Sequence, residues 1–442
     1  MTDKKYQLVE TQKPNLYRDV FPYDQFPRTT FEKEPIPLDI CKKAWITDTT
    51  FRDGQQARPP YTPEQILAIY DLFHKIDGDT GLIRQCEFFL YSQRDRKAVD
   101  LCLQRGYKFP EITGWIRAVA ADFKLVKEVG LKETGILTSA SDYHIFLKLK
   151  RTRRQALDSY LNIVKTALDE GIIPRCHFED VTRSDFEGFI MPFAHELLNL
   201  AEQYKSTVKI RLCDTLGFGV PSSQASLPRS VPRLVAGLRK VGVPAEWLEW
   251  HGHNDLHKVQ INAATAWLYG CAAANSSIFG VGERTGNPPL EAMIIEHAQI
   301  YGMTPGVNYP AITELAHYAK KELGFDIPAN YPLVGEDFNV TRAGIHADGL
   351  LKNEEIYNCF DTDKLLKRPV AVAITDKTGA AGIKHWIESR FEITIAKHDP
   401  CVIWIKEKID SEYIDDRVSA ISDQEMLQWC KQAFGEKMPA ER

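Results

Sequence analysis

Eight short apolar runs alternate with amphipathic helical patterns between residues 45 and 305, and this alternation predicts a (β/α)8 barrel. The count of eight favours a closed barrel over a doubly wound open sheet. Polar motifs also fall where the runs end, the place where barrel active sites lie. The expected strands are 45–50, 82–90, 111–117, 133–137, 174–179, 208–214, 246–251 and 273–279. Helical periodicity is expected at 63–74, where Ile66, Leu67, Ile69, Tyr70 and Phe73 line one face, and at 154–170, 186–204, 230–241 and 259–270. Residues 1–44 are rich in Pro, Asp, Lys and aromatics and read as an N-terminal extension. Past residue 305 the rhythm changes. Helical patterns at 312–323 and 423–434 flank irregular pieces, so 306–442 reads as a mostly helical C-terminal subdomain.

Composition narrows the function. The chain has 442 residues, 44% of them hydrophobic, enough for a barrel and one appendage. A net charge of −5 without a long basic run argues against nucleic acid as a partner. The runs 148–154 and 320–322 are short and read as solvated helix faces. The N-terminus is charged and has no apolar core, so no signal peptide is expected. No apolar stretch approaches ~18 residues, so no membrane span is expected. Nine cysteines lie singly, with no Cys-x-x-Cys pair. They read as reduced thiols of a cytoplasmic protein.

Three motifs carry chemistry. Asp48-Thr49-Thr50-Phe51-Arg52-Asp53-Gly54-Gln55-Gln56 leaves the first strand, His251-Gly252-His253-Asn254-Asp255 the seventh, and Gly280-Val281-Gly282-Glu283-Arg284-Thr285-Gly286-Asn287 the eighth. Histidines at i and i+2 of a strand face one side, so both imidazoles can reach one cation. Asp53 could add a carboxylate oxygen from a neighbouring barrel position. Two histidines and a carboxylate with open positions make a divalent-metal site suited to catalysis. Taken singly, a His-x-His pair is more often structural and a glycine-rich loop more often a turn. Together, on strands that are neighbours in a closed barrel, they converge.

These motifs, in this order and spacing, resemble the DRE-TIM metallolyase superfamily over residues 45 to 390. The superfamily comprises the 2-isopropylmalate, homocitrate, citramalate and (Re)-citrate synthases and hydroxymethylglutaryl-CoA lyase. The resemblance implies that Asp53, His251 and His253 ligate the metal, with Asn287 in or beside its coordination sphere. It implies that Arg52 polarises the substrate carbonyl, that Glu87 orients Arg52, and that Glu179, of the Glu179-Asp180 pair, contacts the 2-oxo acid or its metal. Thr215 is expected near the substrate carboxylate, and Gln56, His144 and Arg183 as further substrate contacts. Arg117 is another candidate cation for a second carboxylate.

A base must take a proton from the acetyl-CoA methyl group. His346 is the candidate, since a neutral imidazole suits that task near pH 7. Tyr357 follows it at the spacing seen in the synthases' C-terminal subdomain, which closes over a barrel mouth, often the partner chain's, so a homodimer is implied. The Ala343–Gly349 segment favours a synthase over the shorter lyases. The sequence departs from its relatives at Thr341, where many carry His, and at Phe88-Phe89-Leu90 after Glu87. It ends without the long regulatory domain of leucine-inhibited relatives, so inhibition of that kind is not expected. The N-terminal segment and residues 46–51 look most like the (Re)-citrate synthase subgroup. The implied reaction is condensation of acetyl-CoA with a 2-oxo acid, oxaloacetate first, then 2-oxoglutarate, 2-oxoisovalerate or pyruvate. Mn²⁺ is the expected metal, with Co²⁺, Mg²⁺ or Zn²⁺ compatible. A non-catalytic barrel that binds a ligand is the reading from another class, and the survival of every metal-ligand position speaks against it.

Overall fold

The computed structural model describes residues 6–19, 34–342, 344–414 and 417–440. The chain divides into two compact units, Met1–Asn308 and Tyr309–Arg442.

In the first unit β1 (Trp45–Asp48), β2 (Ile83–Phe89), β3 (Glu111–Arg117), β4 (Glu133–Ser139), β5 (Ile173–Glu179), β6 (Lys209–Asp214), β7 (Leu248–Gly252) and β8 (Ala273–Ser276) pair in sequence order, and β8 closes on β1 in parallel. The connecting helices are α1 (Pro63–Asp77), α2 (Gln93–Leu103), α3 (Phe123–Glu128), α4 (Arg153–Asp169), α5 (Met191–Tyr204), α6 (Val231–Val241), α7 (Val259–Leu268) and α8 (Leu290–Tyr301). This is the expected (β/α)8 barrel. Local chemistry starts and stops the helices where the barrel needs it. Thr62 with Gln65, Ser92 with Asp95 and Thr152 with Gln155 form capping boxes on α1, α2 and α4. Gly78 ends α1 at φ 59°, a conformation only glycine adopts cheaply.

Strand alternation sorts the side chains. Cys86, Phe88, Cys176, Phe178, Ile210, Leu212 and Trp250 are buried on the faces turned to the helices. The inward set is polar: Gln85, Glu87, Thr113, Arg175, His177, Arg211, Glu249, His251 and Asn275 are all buried. Most barrels fill this space with branched apolar residues. Here ion pairs fill it. Arg211 Nη1 donates to Glu87 Oε2 at 2.9 Å, Arg175 Nη1 to Glu249 Oε2 at 2.9 Å, and Lys209 Nζ to Glu133 Oε2 at 2.6 Å.

The strand ends differ from expectation for local reasons. β1 stops at Asp48 because its carboxyl accepts from the Thr50 backbone N–H at 2.9 Å and hydroxyl at 2.7 Å, turning the chain. β8 stops at Ser276, and Phe279 lies at φ 49°. The helix expected at 186–204 opens with a π-helical turn, Phe186–Ile190, before α5 begins. The basic run 148–154 is not wholly a solvated face. Arg153 is buried, paired with Asp142 and Asp185 at 2.8 Å each. Arg153 Nη1 also donates to the Val9 carbonyl at 2.9 Å, and the Asn15 N–H donates to Asp142 at 2.7 Å. The N-terminal extension is thereby tied to the barrel through residues 6–19.

Burial raises the Asp48 carboxyl to about 8. The sign follows directly. The folded chain keeps a proton that the unfolded chain, at an ordinary value of about 4, releases. Asp48 therefore favours folding below about pH 4 and loses that contribution as pH rises toward 8. Asp48→Asn should show a smaller fall in melting temperature from pH 5 to pH 8 than wild type in buffer-matched calorimetry. Equal falls would count against a protonated Asp48.

The second unit holds α9 (Ala311–Leu323), β9 (Val340–Thr341), α10 (Gly344–Lys352), α11 (Thr362–Leu366), β10 (Ala371–Val372), α12 (Ala380–Arg390), α13 (Pro400–Glu412) and α14 (Asp423–Phe434). β9 and β10 pair in parallel. Ile383, Ile387, Phe391, Val402, Ile405, Ile409 and Met426 form its core. Among the described residues no helix is long and apolar enough to cross a membrane.

Candidate active site

The strand ends of the barrel gather the three motifs. Asp53 follows β1, His251 lies on β7 and His253 just past it. One donor atom from each lies within 4.8 Å of the others, and all three residues are buried. His251 Nδ1 meets Asn275 Oδ1 at 2.6 Å, while its Nε2 faces His253 Nε2 at 3.2 Å. Burial pushes both imidazoles below their ordinary value, and His253 and Arg52 push His251 further. Both rings are therefore neutral at pH 7, the form that binds a metal.

Asp53 is anionic. Burial raises its carboxyl, but Arg52 and the two histidines outweigh burial and hold it at about 2. Arg52 Nη1 donates to Asp53 Oδ1 at 2.9 Å and Asn287 Nδ2 to Asp53 Oδ2 at 2.5 Å. Two buried polar atoms here, His253 Nδ1 and Asn287 Oδ1, have no hydrogen-bond partner among the described residues. Neutral imidazoles, a carboxylate and an orphaned amide oxygen fit a divalent cation.

Gly282 explains why this loop is glycine-rich. A Cβ on Gly282 would lie 2.0 Å from Asn287 Nδ2 and 2.7 Å from Asp53 Oδ2. Gly282→Ala should weaken Mn²⁺ binding at least about tenfold, as loss of a supporting contact at a metal site does. Equilibrium dialysis checks this, and unchanged affinity would count against the packing argument.

Arg52 is fixed from two sides. Its Nε donates to Glu87 Oε2 at 2.8 Å and its Nη1 to Asp53, leaving Nη2 without a partner among the described residues. Glu87 is fully buried. Burial alone would raise its carboxyl, but Arg211, Arg52, His177 and Arg175 outweigh that and hold it ionised.

Arg52, Asp53, His251 and His253 share one cavity of about 180 Å³ with Gln56, Trp115, His177, Glu179, Thr215 and Glu283. Pockets for drug-sized ligands start at about 300 Å³, so this is a small one. Of the expected contacts, Gln56, Glu179 and Thr215 line it. Thr215 Oγ1 accepts from the Asp180 N–H at 2.8 Å. His144 stands behind Glu179, with Nδ1 3.0 Å from Glu179 Oε2, on a π-helical turn, Tyr143–Lys148. Burial raises the Glu179 carboxyl, but the His144 and Ser139 hydrogen bonds outweigh it and leave the group at about 2.

Arg183 is not brought to the cavity. Its guanidinium pairs with Asp180 at 2.8 Å and lies 4.0 Å from the Tyr143 ring centre. Arg117 likewise pairs with Asp122 at 2.9 Å. In the second unit the His346 and Tyr357 rings are in contact, with centres 4.7 Å apart. Both residues are exposed within that unit. Sequence reasoning missed His177, Arg175, Arg211, Glu249 and Asn275. Their signal was alternation: each sits two or four residues before a motif residue, or at an inward position of its own strand, and shares the motif face.

The family model HMGL-like matches residues 43–318. The chain belongs to the HMGL-like family. It is 56% identical over 427 residues to a citrate (Re)-synthase of Syntrophus aciditrophicus, covering 96% of this chain and 68% of that one. It is 51% identical to the citrate (Re)-synthase of Clostridium kluyveri, covering 95% and 94%. A 2-phosphinomethylmalate synthase of Streptomyces hygroscopicus is 39% identical, covering 96% and 97%. Among solved structures, the Bacillus subtilis HMG-CoA lyase shares the fold, with a TM-score of 0.51 at 18% identity, covering 66% of this chain and 97% of that one. The resemblance to the citrate (Re)-synthase subgroup of this family holds over nearly the whole chain.

Proposed function

We propose that this HMGL-like enzyme is a (Re)-citrate synthase, joining acetyl-CoA to oxaloacetate and hydrolysing the thioester to give citrate and CoA. The carrying observation is the Asp53–His251–His253 donor set beside the unpaired edge of Arg52 in one small cavity. The choice of oxaloacetate rests on the whole-chain similarity to two citrate (Re)-synthases.

Asp53, His251 and His253 would hold the metal, with Asn287 steering Asp53. When bound there, a divalent cation supplies Lewis acidity toward the 2-oxo group. Arg52 Nη2 donates toward the 2-oxo oxygen as negative charge develops on it, and Glu87 holds the guanidinium for that purpose. Gln56 and Thr215 hold the acid's carboxylate, with Glu179 at the cavity wall and His144 fixing Glu179 from behind. Arg183 keeps its role as a support for Asp180. His346, in contact with Tyr357, is the base that takes the methyl proton of acetyl-CoA, and the resulting carbon forms the new bond to C2 of the acid. Mn²⁺ is the preferred metal, and the assembly a cytoplasmic homodimer whose cysteines, all free, stay reduced.

The test is CoA release by the purified protein with Mn²⁺, acetyl-CoA and, separately, oxaloacetate, 2-oxoglutarate, 2-oxoisovalerate and pyruvate. Release with oxaloacetate alone is expected. Preference for another acid would move the substrate within the family, and no release with any acid would overturn the synthase reading.

A further inference from the structure

We propose that Asn275 is a positioning residue that holds His251 in the tautomer whose Nε2 lone pair faces His253 and Asp53. This rests on the metal reading above. Asn275 lies on β8 and is fully buried. Its amide cannot turn over. Nδ2 donates to Glu249 Oε1 at 3.1 Å and to the Thr47 carbonyl at 3.3 Å, two groups that accept. Oδ1 is therefore the atom that meets His251 Nδ1 at 2.6 Å, and an amide oxygen only accepts. The His251 proton must sit on Nδ1, which leaves Nε2 bare.

Glu249 is in turn fixed by two guanidinium groups. Arg211 Nη2 lies 2.9 Å from its Oε1 and Arg175 Nη1 2.9 Å from its Oε2. Arg211 also donates from Nη1 to Glu87 Oε2, the oxygen that receives Arg52 Nε. One buried guanidinium thus aligns Arg52 through Glu87, and His251 through Glu249 and Asn275. Neither Asn275, Glu249 nor Arg211 lines the cavity, so their action on substrate runs through these two partners. Nothing in the three motifs assigns this relay.

The tautomer is readable without metal or turnover. Long-range ¹⁵N–¹H spectra of histidine-labelled, metal-free protein, with His251 identified by its loss in His251→Ala, should show an Nδ1–H imidazole. Asn275→Leu has the same branching and no acceptor, and should abolish that preference. In Mn²⁺ titrations followed by EPR it should bind about 10- to 100-fold more weakly. That deficit should vanish when Asn275→Leu is made in the His251→Ala background, because the two residues act as one unit. An Nε2–H His251 in wild type overturns the proposal whatever the variant does. So does a folded Asn275→Leu that binds Mn²⁺ as wild type. Wild type that binds no Mn²⁺ overturns the metal reading instead, and the tautomer still decides the role of Asn275.

Discussion

Arg52→Lys should lower kcat by about 10²–10³-fold, the cost of losing one donor to a developing oxyanion, while Mn²⁺ affinity changes little. The reason is geometric. The guanidinium meets Glu87 through Nε and Asp53 through Nη1, and its remaining edge opens on the cavity. An ammonium is a point charge without a rigid fork. It can satisfy one carboxylate but cannot hold a third donor at a fixed angle from both. Asp53 keeps the Asn287 amide and the neighbouring imidazoles, so the cation donors survive. Steady-state kinetics with oxaloacetate and a Mn²⁺ titration separate the two effects. A loss below tenfold in kcat would mean that Arg52 is not the donor to the 2-oxo oxygen.

Glu87→Ala should destabilise the barrel by about 3–5 kcal/mol, because it strands buried charge of one sign. Glu87 is the shared counter-ion of Arg52 and Arg211, at 2.8 and 2.9 Å, and lies 3.5 Å from Arg175. Arg175 and Arg211 are shut off from solvent, and Arg52 meets it only at the edge that opens on the cavity. Urea unfolding followed by tryptophan fluorescence measures the change. A cost under about 1 kcal/mol, the size expected of an exposed pair, would show that the interior network carries little of the fold. If Glu87→Ala does not fold, Glu87→Gln, which keeps the shape and removes the charge, carries the same expectation with a smaller loss.

The barrel was legible because parallel strands buried on both faces read as apolar runs, and all eight were located by that pattern. Their ends were less legible where side chains rather than propensity stop the strand, as Asp48 does through Thr50. The cluster proposed to hold the metal was legible because a strand places His251 and His253 on one face and the closed barrel brings Asp53 beside them. The His346 and Tyr357 rings, eleven residues apart in sequence, are in contact within the second unit. Arg183 was not legible: its position after the Glu179-Asp180 pair suggested a free cation, but Asp180, at φ 67°, turns back to neutralise it. The polar interior was not legible either. Arg175, Arg211 and Glu249 look like interruptions of apolar runs until closure sets them opposite one another.

The most direct test of the account is reconstitution. Protein stripped with EDTA and dialysed free of it should release no CoA from acetyl-CoA and oxaloacetate. Added Mn²⁺ should restore release in wild type but not in His253→Ala, with citrate appearing in step with CoA. Full release by the stripped protein, or restoration in His253→Ala equal to wild type, would contradict a metal centre built from Asp53, His251 and His253.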